Sequence, residues 1–99
     1  GAAYVYLCYG IHNMFNVVCN VTGRAEAALV RGVEGHNGPG RLTKALNIDR
    51  SLNGVDLASS DKLWLEDDGV VPEYTAAPRI GIDYASDEDK NKKWRFTAI

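Results

Sequence analysis

The chain has 99 residues, 45% of them hydrophobic and 24% charged, with a net charge of −2; this fits one globular domain with a modest core and excludes a disordered chain or an unspecific polyanion binder. Its longest apolar run, Ala2 to Gly10, is about half of the roughly 20 residues a membrane helix needs, and no charged-then-apolar signal segment opens the chain. A cytoplasmic protein is therefore expected.

The stretch from Ala3 to Asn16, AYVYLCYGIHNMFN, alternates large and apolar residues, breaks at Gly10 and resumes as a second apolar run to Val21. A period of two on both sides of a Gly/His/Asn break predicts a β-hairpin, with strands at Tyr4–Tyr9 and about Met14–Val21 and a turn within Gly10 to Asn13. Tyr4, Tyr6 and Cys8 then share one face, and Val5, Leu7 and Tyr9 the other, one facing the core and one serving function. Hairpins on structural edges end in small polar residues, yet Tyr9, Ile11, His12 and Met14 crowd this turn. Such a tip suggests a surface that inserts into a partner. Cys8 and Cys19 are too few for a disulfide framework and form no metal-ligand pattern with the two histidines; both read as buried free thiols. Cys8 and His12 flank the turn with no orienting third residue, which argues against a nucleophilic pair.

Thr22 to Glu26 reads as a polar turn, and Ala27 to Val33 as a third strand in which Arg31 is the only charge. A lone arginine in a buried-looking run calls for a partner, either an internal carboxylate or an external anion. Gly35 to Gly40 leads into RLTKALNI, where Pro39 and the Leu42, Ala45, Leu46 spacing predict a short helix near Leu42–Ile48. The glycine spacing resembles a nucleotide-phosphate loop, but Arg41 and Leu42 stand where Lys and Ser/Thr are required. Two readings stay open: a helix start flanked by Arg41 and Lys44 that holds a backbone phosphate, or a plain connection.

Asp49 to Ser60 is turn-rich and should wrap over the surface. Lys62 to Leu65 reads as a short strand, Glu66 to Gly69 as a solvated acidic loop, Arg79 to Tyr84 as a strand, Asp87 to Lys93 as a charged loop, and Trp94 to Ile99 as the start of a last strand. The element order predicts an α+β fold in one domain over residues 1–99: a mainly antiparallel, curled, open-barrel-like sheet with a projecting hairpin and one or two short helices. Residues 1–55 carry five Lys and Arg against three Asp and Glu, whereas residues 56–99 carry six against ten. A nucleic acid should therefore meet the first half. The aromatic cluster Tyr4, Tyr6, Tyr9, His12 and Phe15 reads either as a base-stacking platform or as ordinary strand residues with wet hydroxyls. Strands at both raw ends predict a piece of a longer protein, whose open edges leave room for self-association.

The run AYVYLCYGIHNMFNVV, then ALVRGVE, NGPGRLTKALNI, DLASSDKLWLEDDG and PRIGIDYASDEDKNKKWRF, closely resembles the alkyladenine (3-methyladenine, methylpurine) DNA glycosylases in their bacterial branch, over almost the whole chain and in the family's order. The resemblance implies a base-excision repair enzyme that flips alkylated or deaminated purines such as 3-methyladenine and hypoxanthine from duplex DNA and hydrolyses the N-glycosidic bond, without cofactor or metal. By that resemblance Tyr9 matches the tyrosine that fills the gap left by the extruded nucleotide, with Ile11 and His12 facing the groove beside it. Tyr6 matches a tyrosine stacking on the flipped base, Asn16 the asparagine that rejects guanine, Arg31 an arginine on the backbone of the flipped nucleotide, and Ile80 a position at the pocket mouth; Leu29 is placed in the pocket floor. The expected partner is double-stranded DNA with a damaged purine, the location cytoplasmic and nucleoid-associated, and the complete protein a monomer.

This sequence departs from the family where the catalytic chemistry sits. The glutamate segment upstream of the hairpin, which holds the general base, and the base-contacting histidine after it have no match here, nor does a longer segment between Gly35 and His36. No residue of the chain is therefore assigned a catalytic role, and the 99 residues are expected to form the C-terminal part of a glycosylase domain that is inactive alone. Two other classes stay open: a non-catalytic module or fragment that grips distorted DNA through the hairpin, and a structural β-domain with a protein partner at the aromatic tip.

Overall fold

A computed structural model of the chain describes residues 1–19, 23, 26–66, 69–80 and 85–98. They fall into two compact units, Gly1–Glu66 and Asp67–Ile99. Together they are mixed α/β, with three small antiparallel sheets and few helices.

In the first unit β1 (Ala3–Cys8) and β2 (His12–Cys19) form the expected hairpin, and β3 (Glu26–Leu29) pairs with the far side of β2. Alternation decides which face closes. Ala3, Val5 and Phe15 turn inward and join Ile48 and Leu57 in one core cluster, with Val17, Val30, Leu52, Val55 and Leu63 packed around it. Burial of side chains this size is worth about 1.5–3 kcal/mol each, and it holds the hairpin flat against the loops that follow. The expected third strand over Ala27–Val33 is two strands. β3 ends at Leu29, after which β4 (Gly32–Val33) folds back through a tight turn onto β5 (His36–Asn37). Gly32 permits this, since a Cβ there would lie 3.1 Å from the Asn37 side chain.

The helix α1 spans Pro39–Ala45, earlier than expected at both ends. Pro39 in the first turn sets its start. Its end is a Schellman cap: Asn47 sits at φ 55, its N–H donates to the Lys44 carbonyl, and the Ile48 N–H donates to the Thr43 carbonyl at 2.8 Å. The cap ends the helix and drives Ile48 into the core.

Residues 49–60 are turn-rich and mostly exposed, as expected, but they also line a sheet edge. After a 3-10 turn at Arg50–Leu52, residues 53–57 run along the outer edge of β1: Ala3 N–H donates to the Val55 carbonyl, Gly54 N–H to the Ala3 carbonyl and Leu57 N–H to the Gly1 carbonyl. Asn53 completes the edge with its side-chain oxygen, which accepts from Val5 N–H at 2.9 Å. The edge at the start of the chain is therefore covered, not open, and Leu57 is fully buried. Lys62 to Leu65 is not a strand; Leu63 reaches the core while Trp64 and Leu65 are exposed.

In the second unit β6 (Tyr74–Ala77) pairs with β7 (Arg95–Ala98), and Tyr74 meets Phe96 edge to face at 5.6 Å. The expected last strand is thus β7, with Ile99 outside the described residues. The charged run expected as a loop is a helix, α2 (Asp87–Asn91), because Ser86 accepts the Asp89 N–H as an N-cap and three acidic residues occupy the first turn. Of the strand expected over Arg79–Tyr84, Arg79 and Ile80 are not in a strand, and residues 81–84 lie outside the described residues. Positions 22, 24 and 25 of the expected polar turn, and 67 and 68 of the acidic loop, also lie outside them. No helix among the described residues is long and apolar enough to cross a membrane.

Candidate functional site

The hairpin tip is built on an unusual backbone. Tyr9 and Gly10 both have positive φ, 51 and 71, and Ile11 N–H donates back to the Cys8 carbonyl at 3.2 Å. Left-handed residues in succession match the right-handed twist of a hairpin. Gly10 adopts that conformation freely, but a tyrosine in it costs about 1–2 kcal/mol. The turn is therefore Tyr9 to Ile11, one residue earlier than expected, and Tyr9 does not share the inner face of Val5. Its ring is 92% exposed and Ile11 is 72% exposed. Backbone strain of this kind clusters at functional sites.

Behind the tip, strand register assembles a row across the outer face of the sheet. Tyr4 lies opposite Asn16, Asn16 opposite Leu29, and Tyr6 opposite Met14. The Tyr4 and Tyr6 rings stand 5.3 Å apart and tilted by 35°. Asn16 is only 6% exposed, and its Nδ2 donates to the Tyr4 carbonyl at 3.3 Å and to the Met14 carbonyl at 3.5 Å. These bonds fix the plane of the amide. The tip, the two rings, the locked amide and half-buried Leu29 thus lie along one hairpin and its neighbouring strand. Phe15 does not join the aromatic surface, since it points the other way, into the core.

Arg31 stands between β3 and β4, half-buried where deeper burial was expected. Among the described residues no carboxylate pairs with it. The internal ion pair that its sequence setting allowed is not formed there. Its carbonyl accepts the Gly38 N–H at 2.8 Å, which ties this cation to the start of α1. Arg41 and Lys44 project from α1 into solvent. His12 is exposed but lies against α1: a Cβ on Gly40 would come within 2.9 Å of its Nδ1. Ile80 lies in the second unit and is exposed.

The cysteines are not both buried. Cys8 is half-buried and Cys19 exposed, and both are free thiols. Asp49 and Asp56 are fully exposed carboxylates held below the ordinary value of 3.8, Asp49 by the Ser51 hydroxyl and backbone N–H, Asp56 by the Ala58 N–H and the Ser59 hydroxyl. Hydrogen bonds to the ionised form lower a pKa, the reverse of what a general base near neutrality needs. Sequence reasoning missed Thr43, Gly40 and Asn53 as parts of this architecture. The threonine and glycine within a helical segment were their only signal, and nothing local tells which strand they touch.

The family model described as methylpurine-DNA glycosylase matches residues 1–36 and 34–99. Among curated relatives, a protein of Psychrobacter cryohalolentis named as a 3-methyladenine DNA glycosylase is 42% identical, over 100% of this chain and 57% of its own length. One of Borrelia garinii is 42% identical over 97% of this chain and 58% of its own, and one of Methanocella arvoryzae 40% identical with the same coverage; both carry that name. The chain spans about three fifths of the length of these relatives.

Proposed function

The chain belongs to the methylpurine-DNA glycosylase family, and on that premise we propose that the protein carrying it excises damaged purines, 3-methyladenine and hypoxanthine among them, from double-stranded DNA. The observation that carries this reading is Tyr9: a strained, almost fully exposed ring at the tip of a hairpin whose base is tightly packed. In the proposed complex Tyr9 enters the duplex and occupies the space of the extruded nucleotide, with Ile11 and His12 lining the groove as an apolar wedge. The flipped base stacks on Tyr6 beside the Asn16 amide, and Leu29 underlies it. Asn16 then rejects guanine because its 2-amino group collides with a side chain that two hydrogen bonds hold in place. Arg31, unpaired among the described residues, receives a phosphate beside the flipped nucleotide, and Arg41 and Lys44 contact the backbone further out.

The base leaves the stack first, because C1′ is unreachable within the duplex. A water that passes its proton to a carboxylate then attacks C1′; the C1′–O bond forms, the C1′–N bond breaks, and the purine departs with the bonding pair, leaving an abasic site. That carboxylate belongs, in this reading, to a part of the domain outside these 99 residues, of which this chain is the C-terminal part; the chain alone is inactive. The complete protein acts as a monomer in the cytoplasm, at the nucleoid. A second reading, binding of distorted DNA without excision, rests on the exposed tip alone, Tyr9 and Ile11.

Single-turnover excision from duplexes carrying hypoxanthine or 3-methyladenine separates the two. Tyr9→Ala is expected to slow excision on the order of 100-fold, since the wedge offsets a few kcal/mol of unstacking. An unchanged rate removes Tyr9 from this role. DNA binding without any excision by the intact protein favours the second reading.

A further inference from the structure

Helix α1 touches the hairpin at two successive residues, and neither contact is explained by hydrophobic packing. Thr43 is 2% exposed, and its hydroxyl lies 2.8 Å from the carbonyl oxygen of Asn13 and 3.1 Å from that of Gly40. One hydroxyl proton serves both, and the shorter distance gives Asn13 the better bond. Asn13 needs such a partner. β3 reaches only to the position opposite Asn16, and Val30 N–H takes the carbonyl of Phe15, so nearer the tip this edge of β2 has no neighbouring strand among the described residues. Thr43 supplies a donor in its place. One residue earlier, His12 rests on the bare backbone of Gly40, where a Cβ would meet its Nδ1 at 2.9 Å and its Cγ at 3.2 Å. The same helix begins with the Gly38 N–H bonded to the Arg31 carbonyl. One rigid element thus holds the first two residues after the tip and the backbone of the cation.

We propose that α1 is the mount that sets the direction of the hairpin tip relative to Arg31, with Thr43 as its positioning residue acting through the Asn13 carbonyl. The proposal rests on the wedge role given to Tyr9 above. The Thr43 hydroxyl touches neither DNA nor the reacting base. It fixes the strand that carries His12 so that Tyr9 and Ile11 enter the duplex on one trajectory. Removing the bond leaves the core closed and the cations in place, while the tip samples directions that do not reach the gap. Initial capture of DNA is then unaffected and the insertion step slows.

Thr43→Val keeps the shape and deletes the hydroxyl, whereas Thr43→Ser keeps the hydroxyl. In the intact protein, Thr43→Val is expected to speed amide hydrogen exchange at Gly10, Ile11 and His12 roughly tenfold, the weight of one hydrogen bond. Exchange at Val5 and Phe15 should stay as in the wild type. Single-turnover excision should fall by a similar factor with unchanged affinity for undamaged duplex, and Thr43→Ser should restore both. A merely structural threonine would loosen tip and interior amides alike, and that result, or no change at the tip, overturns the proposal. If Thr43→Val does not fold, Gly40→Ala takes its place: it should free the tip amides by pushing on His12, and His12→Ala in the same chain should reverse the effect. Failure of that reversal overturns the proposal as well. A wild-type protein that excises no lesion overturns the glycosylase reading, and the exchange pattern still decides the mount.

Discussion

In residues 1–66 a three-stranded sheet has one face closed by Phe15, Ile48 and Leu57 and its β1 edge covered by residues 53–57, whereas in residues 67–99 two strands pair with Tyr74, Phe96 and Trp94 left exposed. Every residue found buried among the described residues belongs to the first unit. An isolated two-stranded pair is marginal in water, and the contacts seen within the second unit among the described residues are local: the Tyr74–Phe96 ring contact, Arg79 and Lys92 over the Trp94 ring, the Arg95 Nε bond to the Pro78 carbonyl, and the ion pairs of Lys90 and Lys92 with the first turn of α2. Such exposed pairs contribute about 0–1 kcal/mol each. The contrast teaches where strain can be stored. A left-handed tyrosine is tolerable on a hairpin whose other end is locked by a core, and it would unravel a pair with no buried face.

The most severe way to break this contrast is to open the first core. Phe15→Ala is expected to cost about 3–5 kcal/mol and to abolish the cooperative urea transition followed at the β1–β2 amides; a loss below 1 kcal/mol would mean the sheet is held by its edges instead. Hydrogen exchange of the unaltered protein sharpens it next. Amides paired between β6 and β7 should exchange at least about 100-fold faster than those of Val5 and Phe15, because among the described residues none of β6 or β7 is fully buried. Equal protection would show that the second unit has support beyond its own contacts. A smaller effect has the more telling sign. Tyr9→Gly should raise the melting temperature, by about 0.5–1 kcal/mol of relieved strain after the entropy cost of glycine, while excision falls as in Tyr9→Ala; a lower melting temperature would mean that the tyrosine is not strained. The least effect concerns acid. The folded-state pKa values of Asp49 and Asp56 lie below 3.8, so their contribution is complete above that value and is lost as pH falls through the folded pKa. Asp49→Asn should lower stability slightly at neutral pH and flatten the profile below about pH 4, where the variant and the wild type converge.

Much of the first unit was legible in the sequence. The period of two from Ala3 to Val18 announced the hairpin, and Pro39 announced the helix, because both signals are local and steric. The surface helix α2 was equally local, yet its charge density disguised it, although Ser86 followed three residues later by Asp89 carries the cap signature. The strand read over Ala27–Val33 was wrong for a non-local reason. Apolar residues there fit a strand, but pairing ends where the partner strand runs toward the tip. The residues proposed for the site, Tyr6, Tyr9, Asn16 and Arg31, could be singled out by their family motif, whereas Thr43 and Gly40 looked like ordinary helix residues.

By itself the sequence determined the hairpin, the bulky tip, the asymmetry of charge and the family, since each is written in neighbouring residues or in their order. Only the tertiary structure decided that Tyr9 sits in the left-handed region, that Phe15 belongs to the core and not to the aromatic face, that residues 53–57 close the edge of β1, and that Thr43 reaches Asn13. Those outcomes depend on which segments distant in sequence meet. A hydrogen bond across thirty residues leaves no periodic trace, because the free energy that selects it is summed over the whole core and not over the window in which either partner lies.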